Sequence, residues 1–280
     1  MPNEAILAVL LGALLHASWN AAIKSGRNTF FDTILVATGA GLIAAVTLPF
    51  LALPARDSLP YLATSSVLQI VYFLLVAAAY RTADMSYAYP LMRGTPPLLV
   101  AAASGALAGE ALGTMGWLGV ALICSGVLAL ALDYRRSGPS LVPTAFALGN
   151  AAVIAGYTLV DGLGARLSGH TVAYTLWLSL LTGIPLLAWT LWARRDGFMT
   201  YARARWPVAL VGGICTLGSY GLALWAMTRA PIAAVAALRE TSIVFGMAIS
   251  ALVLGERVGL SRLAAGAVIA LGAVTLRWSV

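Results

Sequence analysis

The chain has 280 residues, of which 61% are hydrophobic and only 10% charged, with a net charge of +7. A mean hydropathy of +0.91 excludes a soluble domain of this size. The 17 Lys and Arg fall singly or in pairs between apolar runs, as they do at membrane surfaces, which excludes a nucleic-acid-binding face despite the basic balance.

Runs of about 20 apolar residues cross a bilayer as helices. The sequence therefore predicts an all-α integral membrane protein with ten transmembrane helices, near residues 4–24, 30–53, 60–80, 87–108, 113–132, 143–165, 171–192, 206–227, 232–254 and 260–278. The longest polar linker runs from Arg194 to Arg205. The first apolar stretch lacks a basic flank and a cleavage site, so no signal peptide is expected. Cys124 and Cys215 fall inside spans and read as packing residues.

Span 1 places His16, Trp19, Asn20 and Lys24 at helical spacing on one face. Polar groups at membrane depth face a bundle interior or a wet cavity. His16, Trp19 and Asn20 are thus candidates to bind a polar or aromatic solute. The alternative is interhelical polar glue, with Lys24, the single lysine, snorkelling to the surface. His16 also raises proton coupling, since its charge changes near neutral pH. Among aromatics away from span ends, Tyr72, Tyr89, Trp177 and Trp225 can stack on a solute or simply pack.

Span 4 carries Arg93 among Pro90, Pro96 and Pro97, and ends at Gly109-Glu110. Residues 93–130 align without gaps on residues 239–276 with 11 identities in 38 positions. The pairs include Arg93/Arg239, Thr95/Thr241, Ser104/Ser250, Gly109/Gly255, Glu110/Glu256 and Gly126/Gly272. This is an internal repeat. An Arg near the bilayer centre costs roughly 2.5–3.5 kcal/mol. Arg93 and Arg239 are either anion sites for a carboxylate or phosphate, or structural groups bonded to carbonyls freed by helix breaks, or residues near a surface. Glu240 is a candidate partner for an Arg. Glu110 and Glu256 are expected to cap the helices that follow them.

The second half opens with a weak counterpart of Trp19-Asn20 in Tyr157-Thr158, while Asp161 is expected near enough to a span end to be solvated. Five spans per half is an odd number, so homologous halves must enter the membrane in opposite directions. The expected domains are residues 1–136 and 137–280, two inverted five-helix repeats with a solute site between them. Eleven Lys and Arg follow odd-numbered spans and four lie on the other side, a bias that puts both termini outside. No zinc-protease, nucleophile, paired-Asp or Walker motif is present, so no catalytic residue, metal or cofactor is expected.

The whole chain resembles the drug/metabolite transporter superfamily, specifically ten-span transporters of the EamA type. The likeness rests on two halves that each close with Gly-Glu and a Gly-rich last helix, and on the opening Trp19-Asn20-x3-Lys24. It implies an inner-membrane secondary carrier, working by alternating access without ATP, that exports small metabolites. Similar bacterial proteins export amino acids, aromatic ones included. It further implies that Trp19, Tyr80, Arg93, Tyr157, Trp225 and Arg239 lie near a central cavity. The resemblance places both termini in the cytoplasm, against the charge count. The expected partners are a small-molecule substrate and the lipid bilayer, with a monomer as the working unit. The alternatives are efflux of drugs or other amphipathic compounds, an intramembrane enzyme and a structural scaffold.

Overall fold

The computed structural model describes residues 1–24, 26–82, 85–132, 141–253, 255 and 259–279. The backbones of Arg135, Arg136, Glu256 and Arg257 and the side chains of Lys24 and Tyr80 lie outside the described residues. The described residues form eleven α-helices and no strand. They are α1 Asn3–Lys24, α2 Thr29–Thr47, α3 Leu59–Thr82, α4 Met85–Gly94, α5 Pro96–Leu107, α6 Thr114–Leu132, α7 Leu141–Leu167, α8 Thr171–Met227, α9 Ile232–Leu238, α10 Ser242–Leu252 and α11 Leu260–Ser279. Single-turn 3₁₀ segments stand at Leu48–Phe50, Arg56–Ser58 and Arg239–Thr241.

Two departures from the expected elements have physical causes. The stretches expected as spans 4 and 9 are each split in two. Pro96 and Pro97 have no N–H to give to the carbonyls of Met92 and Arg93, so α4 stops at Gly94 and α5 begins afresh. The later stretch tightens into a 3₁₀ turn over Arg239–Thr241, between α9 and α10. Conversely, spans 7 and 8 form one helical ribbon, α8, bent by non-helical backbone at Arg194 and Arg205. Its middle, expected as a linker, stays helical because tertiary contacts hold it. Phe198 is buried against the Phe31 ring at 5.5 Å, and the Tyr201 hydroxyl donates to Asp32 at 2.8 Å. Arg205 completes that network, 3.3 Å from the fully buried Asp32 carboxylate.

The helices pack through small residues, since lipid offers no hydrophobic drive and close approach maximises dispersion. α2 lies between the two arms of α8. Gly41 lies against Ser179 and Gly183, and Gly183 in turn against Ala37 and Gly41. On the other arm, a Cβ on Gly213 would stand 2.7 Å from the Ala40 nitrogen. α6 packs along α11, with Gly119 against Leu276 and Gly272, and Gly126 against Ile269 and Ala265. Rising numbers on one helix meet falling numbers on the other, so α6 and α11 run antiparallel. α3 packs on α7, α1 on α8 and α10, α4 on α6 and α7, and α5 on α9.

The α6/α11 seam makes a direct prediction. A Cβ at Gly126 would lie 2.8 Å from Ile269 and 2.9 Å from the Ala265 carbonyl. Gly126→Leu should overpack the seam and destabilise by ~1–3 kcal/mol, read as a lower Tm in detergent. Gly149→Leu, where a Cβ meets nothing within 4 Å, should leave Tm nearly unchanged.

Candidate solute site

The two helix breaks carry the two repeat-related arginines. Arg93 falls in the last turn of α4, and Arg239 caps the C-terminal end of α9. The partial negative charge at a helix C-terminus favours a cation there. Arg93 and Arg239 stand roughly 10–12 Å along the helix from the first residues of α4 and α9, at 1.5 Å per residue.

Arg93 forms an ion pair with Glu240 at 3.1 Å, with side-chain exposures of 13% and 6%. Arg239 has no carboxylate partner among the described residues, and its guanidinium stacks on the Tyr220 ring at 5.1 Å. The two arginines are not interchangeable, because the repeat is broken beside them. Gly94 occupies the position equivalent to Glu240, and a Cβ there would be 2.9 Å from Leu128. Among the described residues the site therefore holds two guanidiniums and one carboxylate.

Around this centre the structure gathers most of the sequence candidates. His16 feels the charge of both Arg93 and Arg239, and Trp19 meets His16 edge to face at 5.0 Å. Asn20 spends its amide on the His16 carbonyl at 2.7 Å, one turn back in the same helix. Tyr89 neighbours Arg93 and Glu240. Tyr157 stands edge-on to Tyr72 at 6.0 Å and within the field of both arginines. Trp19 Nε1, Arg93 Nε, Glu240 Oε2 and Asn150 Oδ1 are buried without a hydrogen-bond partner among the described residues. Trp225 stays apart. It stacks with Arg229 at 4.0 Å beside a surface recess of about 550 Å³ that neither arginine lines.

Glu110 does cap a helix, but not the one expected. Gly109 has a left-handed φ of 67°, accessible to Gly without strain. The turn points Glu110 at the other half of the chain. One carboxylate oxygen accepts the Ile232 N–H at the start of α9 at 2.8 Å, and the other pairs with Arg166. Arg166 also donates to the carbonyls of Met227 at 2.7 Å and Ala230 at 3.0 Å. Four segments are thus tied at one face. Gly255, the repeat mate of Gly109, has a φ of 65°. Asp161 is fully buried rather than solvated, because Tyr174 at the start of α8 covers it and donates at 3.0 Å. Sequence reasoning missed Arg166 and Tyr220, whose partners come from distant elements.

Among the described residues seven helices are long and apolar enough to cross a membrane, and two of the helix breaks carry half-buried arginines, which defines a multi-pass membrane protein with a polar centre. The chain belongs to the EamA-like transporter family, which matches it twice, over residues 3–132 and 143–278. Among curated proteins none matches in sequence. A solved crystal structure, titled only as that of a protein, shares the fold with a TM-score of 0.80 over 99% of this chain and 98% of that one, at 18% identity.

The ion pairs at the capped face differ in worth. Glu110–Arg166 is mostly buried, whereas Glu4–Arg229 leaves side-chain exposures of 66% and 42%. Glu110→Ala leaves Arg166 only its two backbone carbonyls and leaves the Ile232 N–H without its acceptor, and should cost about 1–3 kcal/mol. Glu4→Ala should cost ~0–1 kcal/mol. Thermal unfolding of both variants in detergent checks the ranking.

Proposed function

We propose that this protein is a secondary carrier of ten spans in two inverted halves, residues 1–136 and 137–280. On this reading it moves small carboxylate-bearing metabolites, amino acids foremost, across the inner membrane as a monomer, by alternating access. The helix contacts support the two-fold relation. The Gly126–Ala265 contact has its mate in Gly272–Gly119, and Gly41–Ser179 in Gly183–Ala37. The α1·α8 and α3·α7 packings exchange in the same way, as do α1·α10 and α5·α7. Repeat-related helices that run antiparallel are what inversion requires.

The observation that carries the substrate reading is Arg239. Among the described residues its charge lacks a carboxylate partner, beside a pair, Arg93–Glu240, whose Nε and Oε2 atoms have no hydrogen-bond partner there either. Two guanidiniums and one carboxylate sum to +1, and Arg239 and Glu240 offer a cationic and an anionic contact on adjacent residues. A zwitterion fits that arrangement. Its carboxylate goes to Arg239 and its ammonium to Glu240 Oε2. Trp19, Tyr72, Tyr89 and Tyr157 then supply faces for an aromatic side chain, with His16 and Asn20 on the same wall. Tyr80 and Trp225 fall outside this account. The carrier is reversible, and export follows when the solute is more concentrated inside.

Counterflow in proteoliposomes tests the reading. Labelled phenylalanine should exchange against unlabelled amino acids. Phenethylamine, which lacks the carboxylate, should compete at least ~10-fold more weakly, the worth of one charge-assisted hydrogen bond. Arg239→Ala should erase that preference. Trp19→Ala should weaken aromatic solutes selectively, and an equal loss for all solutes would mark it as packing. No exchange of any amino acid by folded protein would sink the amino-acid reading and bring efflux of amphipathic compounds forward.

A further inference from the structure

Asp161 is a carboxyl group fully buried in a membrane helix, and the solute site just described does not use it. Each of its oxygens has a tyrosine. Tyr174 donates to Oδ1 at 3.0 Å, and Tyr220 donates to Oδ2. From α3, Gln69 donates to Oδ2 at 3.3 Å, and the Ser65 hydroxyl bonds the carboxyl too. No Arg, Lys or His bonds it among the described residues. The titratable groups facing it are Tyr174 and Tyr220 from α8 and Tyr157 from its own helix. Arg166, one turn away, is turned to Glu110, and Arg239 faces Asp161 only across the Tyr220 ring. α9 presents Ile232, packed on Gly162.

This environment accommodates both protonation states. Four donors satisfy the carboxylate. A tyrosine hydroxyl can also accept, so either ring can receive a hydrogen bond from the carboxylic acid by rotating one O–H, with no change of packing. The position matters as much. The 550 Å³ recess at the capped face reaches Ala165, one helical turn beyond Asp161, and Ala173, next to Tyr174. On the other side, the ring that bonds Oδ2 is the ring on which Arg239 stacks. Hydrogen bonds link Tyr174, Asp161 and Tyr220, and the Tyr220 ring carries Arg239, while the recess ends at Ala165 and Ala173, the chain neighbours of this row of groups.

We propose that Asp161 is a proton-binding site and that Tyr220 couples it to the solute site, which makes this a proton-coupled carrier. A proton from water in the recess adds to the Asp161 carboxylate, and Tyr220 turns from donor to acceptor. The same proton leaves when the site opens to the other face. An ionised Asp161 offsets part of the Arg239 charge and a protonated one does not, so proton and solute feel each other across one ring. The coupling rests on the carrier reading above, and the proton site does not.

Two measurements on the full chain in liposomes separate these claims. The first is a pH-difference infrared spectrum without solute. The wild type should show a protonated-carboxyl band that titrates. Asp161→Asn should remove it, Glu240→Gln should keep it, and Tyr220→Phe should shift its midpoint. A band unchanged in Asp161→Asn, or no band in the wild type, overturns the proton site. The second follows labelled phenylalanine under an imposed pH gradient. The wild type should accumulate it under one polarity, at least ~10-fold above Asp161→Asn, while Asp161→Asn keeps gradient-free counterflow. Equal accumulation in both proteins, or none under either polarity with counterflow intact, overturns the coupling. Absence of any amino-acid counterflow with the Asp161 band present overturns the amino-acid reading and upholds the proton site.

Discussion

A guanidinium inside a hydrocarbon slab must find a counter-charge or a polar surface, and the whole bundle is arranged around that demand. Arg93 meets it with Glu240, a residue 147 positions later in the chain. Breaking such a pair typically costs about 3–5 kcal/mol, because the surviving charge is left buried. The two helix breaks are held together by this bond. Arg239 meets the demand only in part, with a tyrosine face worth roughly 0.5–2 kcal/mol. The difference between the two is an unspent cation at the centre, and the solute reading depends on it.

The difference comes with a tight contact. A Cβ at Gly94, the position equivalent to Glu240, would stand 2.9 Å from Leu128, so a side chain there needs Leu128 to shift. A perfectly repeated pair of halves would hold two Arg and two Glu and be neutral, or two Arg alone and be strongly repelled. A glycine in place of the second Glu leaves a single net charge. The same logic separates Asp161 from the centre. Its four donors make it self-sufficient, and it communicates with Arg239 only through the Tyr220 ring.

Much of this was legible in the residues. Arg-x-Thr and Gly-Glu stand in register because each is tied to a backbone event, a helix break in one case and a left-handed turn at Gly109 and Gly255 in the other. Such positions tolerate few alternatives, so the repeat stayed readable. Gly41 and Gly183 are related by the same packing, but their offset is 142, between the 138 of the first helices and the 146 of the last. Small insertions shift the register, and a glycine among many apolar residues carries little signal. The helix after Arg194 was misread because polar residues suggest a linker, while Phe198 and Tyr201 find partners on α2 that no local pattern reveals. Asp161 was misjudged for a similar reason. Depth counted along α7 ignores what α8 lays over it.

The cap on α9 bears on how the chain is made. α9 has seven residues, too short to be a stable helix in isolation. The carboxylate that satisfies its first N–H belongs to residue 110, 122 residues earlier. At roughly 5–20 residues per second of synthesis, Glu110 waits on the order of ten seconds in the membrane before Ile232 emerges. During that time Glu110 has no Ile232 N–H to accept from. The cap closes only once the second half is made, and an error at Gly109 would surface as a defect in a helix far along the chain.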